Sequence, residues 1–69
     1  GPLWRLWPNP TGNYWNYEFT EPASWKLTDS RGEILETGFD RMGILHMENR
    51  PPGIYFFTSP YGSVKAVRW

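Results

Sequence analysis

Short apolar segments alternate with glycine and proline along this chain of 69 residues, and this spacing limits its fold more than any other feature. Seven glycines and seven prolines separate the apolar segments. Neither residue suits the interior of a helix, whereas strands that turns separate at intervals of about ten residues are typical of β-sandwiches and barrels. The spacing therefore predicts an all-β fold, a small sandwich of about seven short antiparallel strands.

The predicted strands are segments of four to six residues, roughly the usual strand length. Polar and apolar residues alternate most clearly from Tyr14 onward, which places Trp15, Tyr17 and Phe19 on the buried face. In the last two segments both faces carry apolar residues, so alternation does not decide their orientation. Residues 39–47 also fit a short helical turn. The expected strands are residues 3–7, 14–19, 24–28, 33–37, 44–47, 54–58 and 64–69.

Two sequences predict tight turns between strands. Asp29-Ser30-Arg31-Gly32 combines side chains that accept hydrogen bonds from nearby backbone N–H groups with a glycine that can adopt a positive φ. We therefore expect a hairpin at this point. Pro51-Pro52-Gly53 cannot continue a helix, so we expect a rigid turn from which a strand starts at Ile54.

Aromatic side chains supply most of the candidate core. The chain has five Trp, four Tyr and four Phe, and each can bury about 150–250 Å², which suits so short a chain. Trp25 is the strongest core candidate, while Tyr14 and Tyr61, next to turns, are the best candidates for exposure. We expect one domain over residues 3–69 and interpret Gly1-Pro2 as the remnant of a cleaved expression tag.

Composition and motifs offer little for catalysis. The formal net charge is zero, which gives no electrostatic footprint for nucleic acid, and there is no cysteine. His46 is the only histidine, and no nucleophile motif accompanies it. The acidic pairs Glu33 with Glu36 and Asp40 with Glu48 are interpreted as solvated side chains among basic residues. We therefore expect no enzyme activity, no metal site, no cofactor and no transmembrane segment.

Four short motifs follow one another in a recognisable order. The motifs are Pro8-Asn9-Pro10-Thr11-Gly12, then Leu27-Thr28-Asp29 followed by Gly32 and Ile34-Leu35, then Pro52-Gly53-Ile54-Tyr55-Phe56, and finally Val64-Lys65 with Arg68. In that order the pattern resembles the C-terminal sorting domain of proteins exported by the type IX secretion system, over residues 3–69.

The resemblance implies an Ig-like β-sandwich fused to cargo that crosses the outer membrane of a Gram-negative bacterium. Such a domain is read by the translocon and is often removed by a sortase-like peptidase as the cargo is attached to surface lipopolysaccharide. The resemblance also implies passage from the periplasm to the cell surface, with proteins of that machinery and surface lipopolysaccharide as candidate partners. The implied recognition residues are Gly53, Ile54, Tyr55, Val64, Lys65, Val67, Arg68 and Trp69. The implied turn residues are Pro8, Asn9, Pro10, Gly12, Asp29 and Gly32.

Two alternatives to a cargo signal stay open. The chain ends in Val67-Arg68-Trp69 where the family usually has a basic run, and it is unusually aromatic. A retained C-terminal domain of a component of the secretion apparatus fits these departures. A small carbohydrate-binding β module, with exposed aromatic rings stacked on sugars, fits the aromatic content.

Overall fold

The computed structural model describes residues 4–69, which form five β-strands and no helix. The strands are β1 (Trp4–Trp7), β2 (Tyr14–Asp29), β3 (Ile34–His46), β4 (Gly53–Ser59) and β5 (Gly62–Arg68). The all-β prediction is therefore confirmed. Gly1-Pro2, which we interpret from the sequence as a tag remnant, and the predicted strand start at Leu3 lie outside the described residues.

All five strands belong to one antiparallel sheet with β2 at its centre. β3 pairs with β2 along almost its whole length and takes one edge of that strand. The other edge is shared: β1 pairs with residues 16–19 and β4 with residues 26–29, and β5 pairs with β4. The order along this path is β1-β2-β4-β5.

The sheet is open and strongly curled. Phe57 on β4 pairs with Leu27, yet its ring centroid lies 6.2 Å from that of Phe19. Residues 19 and 27 are eight positions apart on β2, a separation of roughly 26 Å in a straight strand. β2 must therefore bend back so that its two halves face each other across the aromatic side chains between them.

The prediction of seven strands is wrong because two pairs of predicted strands merge. The predicted strands 14–19 and 24–28 both lie within β2, and all but the outermost residue of each of the predicted strands 33–37 and 44–47 lies within β3. Pro22 lacks an N–H group, and a proline at such a position is typical of a break between two strands. Instead, the register between β2 and β3 shifts between Glu18 and Ala23, and this bulge accommodates the proline within one bent strand.

A polar network lies at the bend. The Tyr17 hydroxyl donates to Asp40 Oδ2 at 3.0 Å, and the Trp25 indole N–H donates to Asp40 Oδ1 at 3.1 Å. Residues 39–46 belong to β3 and pair with β2, so the helical turn considered for this segment is wrong. Asp40 is half-buried and bonded to two aromatic side chains, so the interpretation of this carboxylate as solvated is also wrong.

The core lies on the inner face of the curl. Trp15, Tyr17 and Phe19 are buried, as their alternation predicts. Tyr14 and Tyr61 are exposed, also as predicted, whereas Trp25 is half-buried and packs against the edge of the core. The other buried apolar residues are Ala23, Leu27, Leu45, Met47, Tyr55, Phe57 and Ala66.

Candidate functional site

The two C-terminal strands bring the predicted recognition residues together. Seven of the eight lie on the β4–β5 ladder, whose register pairs Gly53 with Arg68, and Ile54 with Val67. The ladder continues with Tyr55 opposite Ala66, and with Phe57 opposite Val64. Lys65 lies opposite Phe56, between these last two pairs, and Trp69 follows Arg68.

The two faces of this ladder differ in exposure. Tyr55, Phe57 and Ala66 point inward and are buried. Four outward residues near the C-terminal end of the ladder, together with Trp69, form what we call the terminal face: Ile54, Phe56, Lys65 and Val67. Ile54 is 40% exposed and Trp69 is 70% exposed. The terminal face therefore presents large apolar groups beside a lysine. Sequence reasoning missed Phe56 because apolar residues occupy both faces of β4.

The motif Pro8-Asn9-Pro10-Thr11 closes the outer edge of β5. Asn9 Nδ2 donates to the carbonyl oxygen of Lys65 at 3.0 Å, and Asn9 Oδ1 accepts from the N–H of Val67 at 2.9 Å. Two residues later, the Thr11 backbone N–H donates to the carbonyl of Val67, and the Trp69 N–H donates to the carbonyl of Thr11, both at 2.9 Å. The loop thus occupies polar groups that an edge strand otherwise leaves open.

The remaining turn residues have local structural roles. The peptide bonds preceding Pro8 and Pro10 are cis. Gly12 follows Thr11 in the same loop and is exposed. Gly53 opens β4 with a φ of +148°, a region that disfavours residues with a Cβ.

The Asp29 turn forms as predicted and lies next to β4. Gly32 has a φ of +88°, and its N–H donates to the Asp29 carbonyl at 3.0 Å. Asp29 Oδ1 accepts from the N–H of Glu33 at 3.0 Å and from the N–H of Arg31 at 2.9 Å. The bond from Glu33, followed by the bond from Arg31, lowers the pKa of the Asp29 carboxyl.

The four motifs meet in one row across the sheet. Asp29 pairs with Tyr55, and Tyr55 pairs with Ala66. Asn9 then bridges the backbone groups on either side of Ala66. Residues that are 58 positions apart in sequence, Asn9 and Val67, are therefore neighbours at this end of the sheet.

Two predicted recognition residues support the fold rather than a surface. Tyr55 is 4% exposed, and its hydroxyl donates to the carbonyl oxygen of Pro51. Arg68 Nε donates to the carbonyl of Met47 at 2.7 Å, which ties β5 to the end of β3. Four other predicted recognition residues, Ile54, Lys65, Val67 and Trp69, belong to the terminal face.

Chemistry elsewhere is sparse within residues 4–69. His46 Nδ1 lies 3.4 Å from Glu48 Oε1, and both side chains are exposed. No group of three or more His, Asp or Glu side chains in the described part of the chain is placed to hold a metal ion. The same residues include no helix with the length and apolarity to cross a membrane.

Comparison with protein-family models, curated proteins and solved structures finds no match for this chain.

Proposed function

We propose that this chain is a non-catalytic C-terminal sorting domain of the type IX secretion class, recognised by protein partners of the translocon and the surface-attachment machinery. The observation that carries the proposal is the row Asp29, Tyr55, Ala66 and Asn9, which joins all four motifs of the resemblance. Motifs that encoded only local turns would have no reason to meet in one row across the sheet.

The convergence has a consequence for recognition. Hydrogen bonds from Asn9 and Thr11 hold β5 in place, so the last residues of the chain present a fixed surface rather than a mobile tail. That surface is the terminal face, on which Ile54 and Trp69 are exposed. Exposed aromatic and apolar groups beside a cation are typical anchors of protein interfaces.

The proposal includes the Ig-like sandwich that the resemblance implies. The curl of β2 supports it. The first half of β2 carries Phe19, and the second half pairs with β4, which carries Phe57. The two rings stack across the core as residues of two packed sheets would. It also includes passage from the periplasm to the outer membrane and cell surface.

A fusion experiment tests this function. Residues 3–69 are placed behind a periplasmic reporter in a cell with type IX machinery, beside a fusion that lacks residues 64–69. We expect the intact fusion to reach the surface or medium and the truncated fusion to stay behind. An intact fusion that is folded and protease-resistant but periplasmic would overturn the cargo signal, and would favour a domain retained within the apparatus.

A further inference from the structure

A cleft opens where β2 separates from β4, at the opposite end of the ladder from Asp29. Lys26 and Thr58 form the last pair between these strands, and the β4–β5 turn beyond Thr58 forms no pair with β2. The cleft has a volume of about 410 Å³, within the range of about 300–1,000 Å³ typical of small-ligand sites. Its lining residues are Ser24, Trp25, Lys26, Thr37, Gly38, Thr58, Ser59 and Pro60.

The aromatic wall of the cleft is fixed in position. The Trp25 indole lies against the backbone of Gly38, where an added Cβ would come within 2.5 Å of Cζ2. Its N–H is bonded to Asp40, and its ring packs 5.4 Å from that of Phe57. An indole held on these sides loses little conformational entropy when a ligand binds against it. Pro60 adds a second apolar surface.

The polar groups of the cleft are hydroxyls and one cation, with no carboxylate among its lining residues. Ser59 Oγ accepts a hydrogen bond of 3.1 Å from the Tyr61 N–H, which leaves the hydroxyl hydrogen of Ser59 to donate. Lys26 is exposed and forms no ion pair within residues 4–69. The cleft therefore favours a ligand with a negative charge.

We propose that this cleft binds one unit of an acidic saccharide, a sugar ring that carries a carboxylate. The apolar C–H face of the ring would contact Trp25 and Pro60, and its hydroxyls would bond Ser24, Thr37 and Ser59. Its carboxylate would pair with Lys26 in a charge-assisted hydrogen bond. Phe39, which lies opposite Ser24 and is 72% exposed, would flank a longer chain of such units.

This site is independent of the proposed sorting function. It uses neither the terminal face nor the loop at Asn9. Binding in the cleft and export of a fused reporter can therefore succeed or fail separately.

The test is a titration of the complete chain, followed by backbone amide NMR shifts, with three probes. They are an oligomer of galacturonic acid, a neutral glucose oligomer of the same length, and inorganic phosphate, each to about 10 mM, which would nearly saturate a site with a Kd of about 1 mM. Lys26→Gln is the test variant. Lys65→Gln is its matched control, because Lys65 is an exposed lysine on the terminal face that also forms no ion pair among the described residues.

We expect saturable shifts with the acidic oligomer at Ser24–Lys26, Thr37, Gly38 and Ser59, about tenfold weaker binding for Lys26→Gln, and no change for Lys65→Gln. Four results would each overturn the proposal. These are no saturable shift, equal weakening in both variants, equal affinity for the neutral oligomer, and equal affinity for phosphate, which would mean that the ring contributes nothing.

Discussion

Asn9 Oδ1 accepts a hydrogen bond of 2.9 Å from the backbone N–H of Val67, a residue 58 positions later in the chain. Together with the bond from Asn9 Nδ2 to the carbonyl of Lys65, it makes the amide side chain act as a short piece of an additional strand. This contact joins the first motif of the chain to the last strand. It also removes open polar groups from the edge of β5.

Replacing Asn9 with alanine should loosen the C-terminal strand. Two hydrogen bonds are lost, one of which leaves the Val67 N–H without its partner, so we expect the free energy of unfolding to fall by about 1–3 kcal/mol. Hydrogen exchange at the Val67 amide should become faster. Asn13→Ala is the control, because the Asn13 side chain is exposed and forms no hydrogen bond within the described residues. Equal stability of the two variants would contradict the role of Asn9.

Gly38→Ala should destabilise the domain, whereas Gly12→Ala should not. A Cβ at residue 38 would come within 2.5 Å of Trp25 Cζ2, but a Cβ at residue 12 would have no neighbour within 4 Å. Forcing the indole to move should cost about 1–3 kcal/mol. Chemical denaturation of both variants measures the difference. The close packing of Trp25 on β3 would be wrong if both variants unfolded at the same denaturant concentration.

The sequence predicts the fold where the information is local. Alternation alone places Trp15, Tyr17 and Phe19 on the buried face, and the residue types of Asp29-Ser30-Arg31-Gly32 predict the turn. The bend of β2 was not predicted, because a proline within a strand signals a break unless the partner strand is known to shift register.

The long-range contacts of the site could not be predicted from sequence. Nothing next to Asn9 indicates that its amide pairs with β5, and Asp40 resembles any surface carboxylate until the bend brings it to Tyr17 and Trp25. The resemblance did identify most of the residues that meet at the C-terminal strands. It did not distinguish the buried Tyr55 from the exposed Ile54, because it carries no burial information.

Stability should decrease in acid partly through Asp29. The folded state lowers the pKa of this carboxyl, so the unfolded chain binds its proton first as the pH falls, and protonation favours unfolding. The stabilisation is present above the ordinary Asp pKa of about 4 and is lost as the pH falls through the lower folded value. Asp29→Asn should therefore lose less stability than the wild type between about pH 5 and pH 3. Parallel curves of unfolding free energy against pH would refute this.

Tyr17 should titrate later than an ordinary tyrosine. Burial, then the hydrogen bond to Asp40, raises its pKa to about 12. Because the raised pKa belongs to the folded state, its stabilisation is complete below about pH 10 and is lost as the pH rises through about 12. Tyrosinate absorbance should show a late component that Tyr17→Phe removes. A late component of unchanged size in Tyr17→Phe would show that the assignment is wrong.

Export by variants that remain folded tests the central claim most directly, because it separates recognition from folding. The double variant Ile54→Ser with Trp69→Ser changes the terminal face, and Met42→Ser with Ile44→Ser changes two exposed apolar residues on β3 as a matched control. Each is fused to the periplasmic reporter, and its melting temperature is measured. We predict that both keep a Tm close to that of the wild type, that the control reaches the cell surface, and that the terminal-face variant stays in the periplasm. Equal surface delivery of the two variants would contradict recognition through the terminal face.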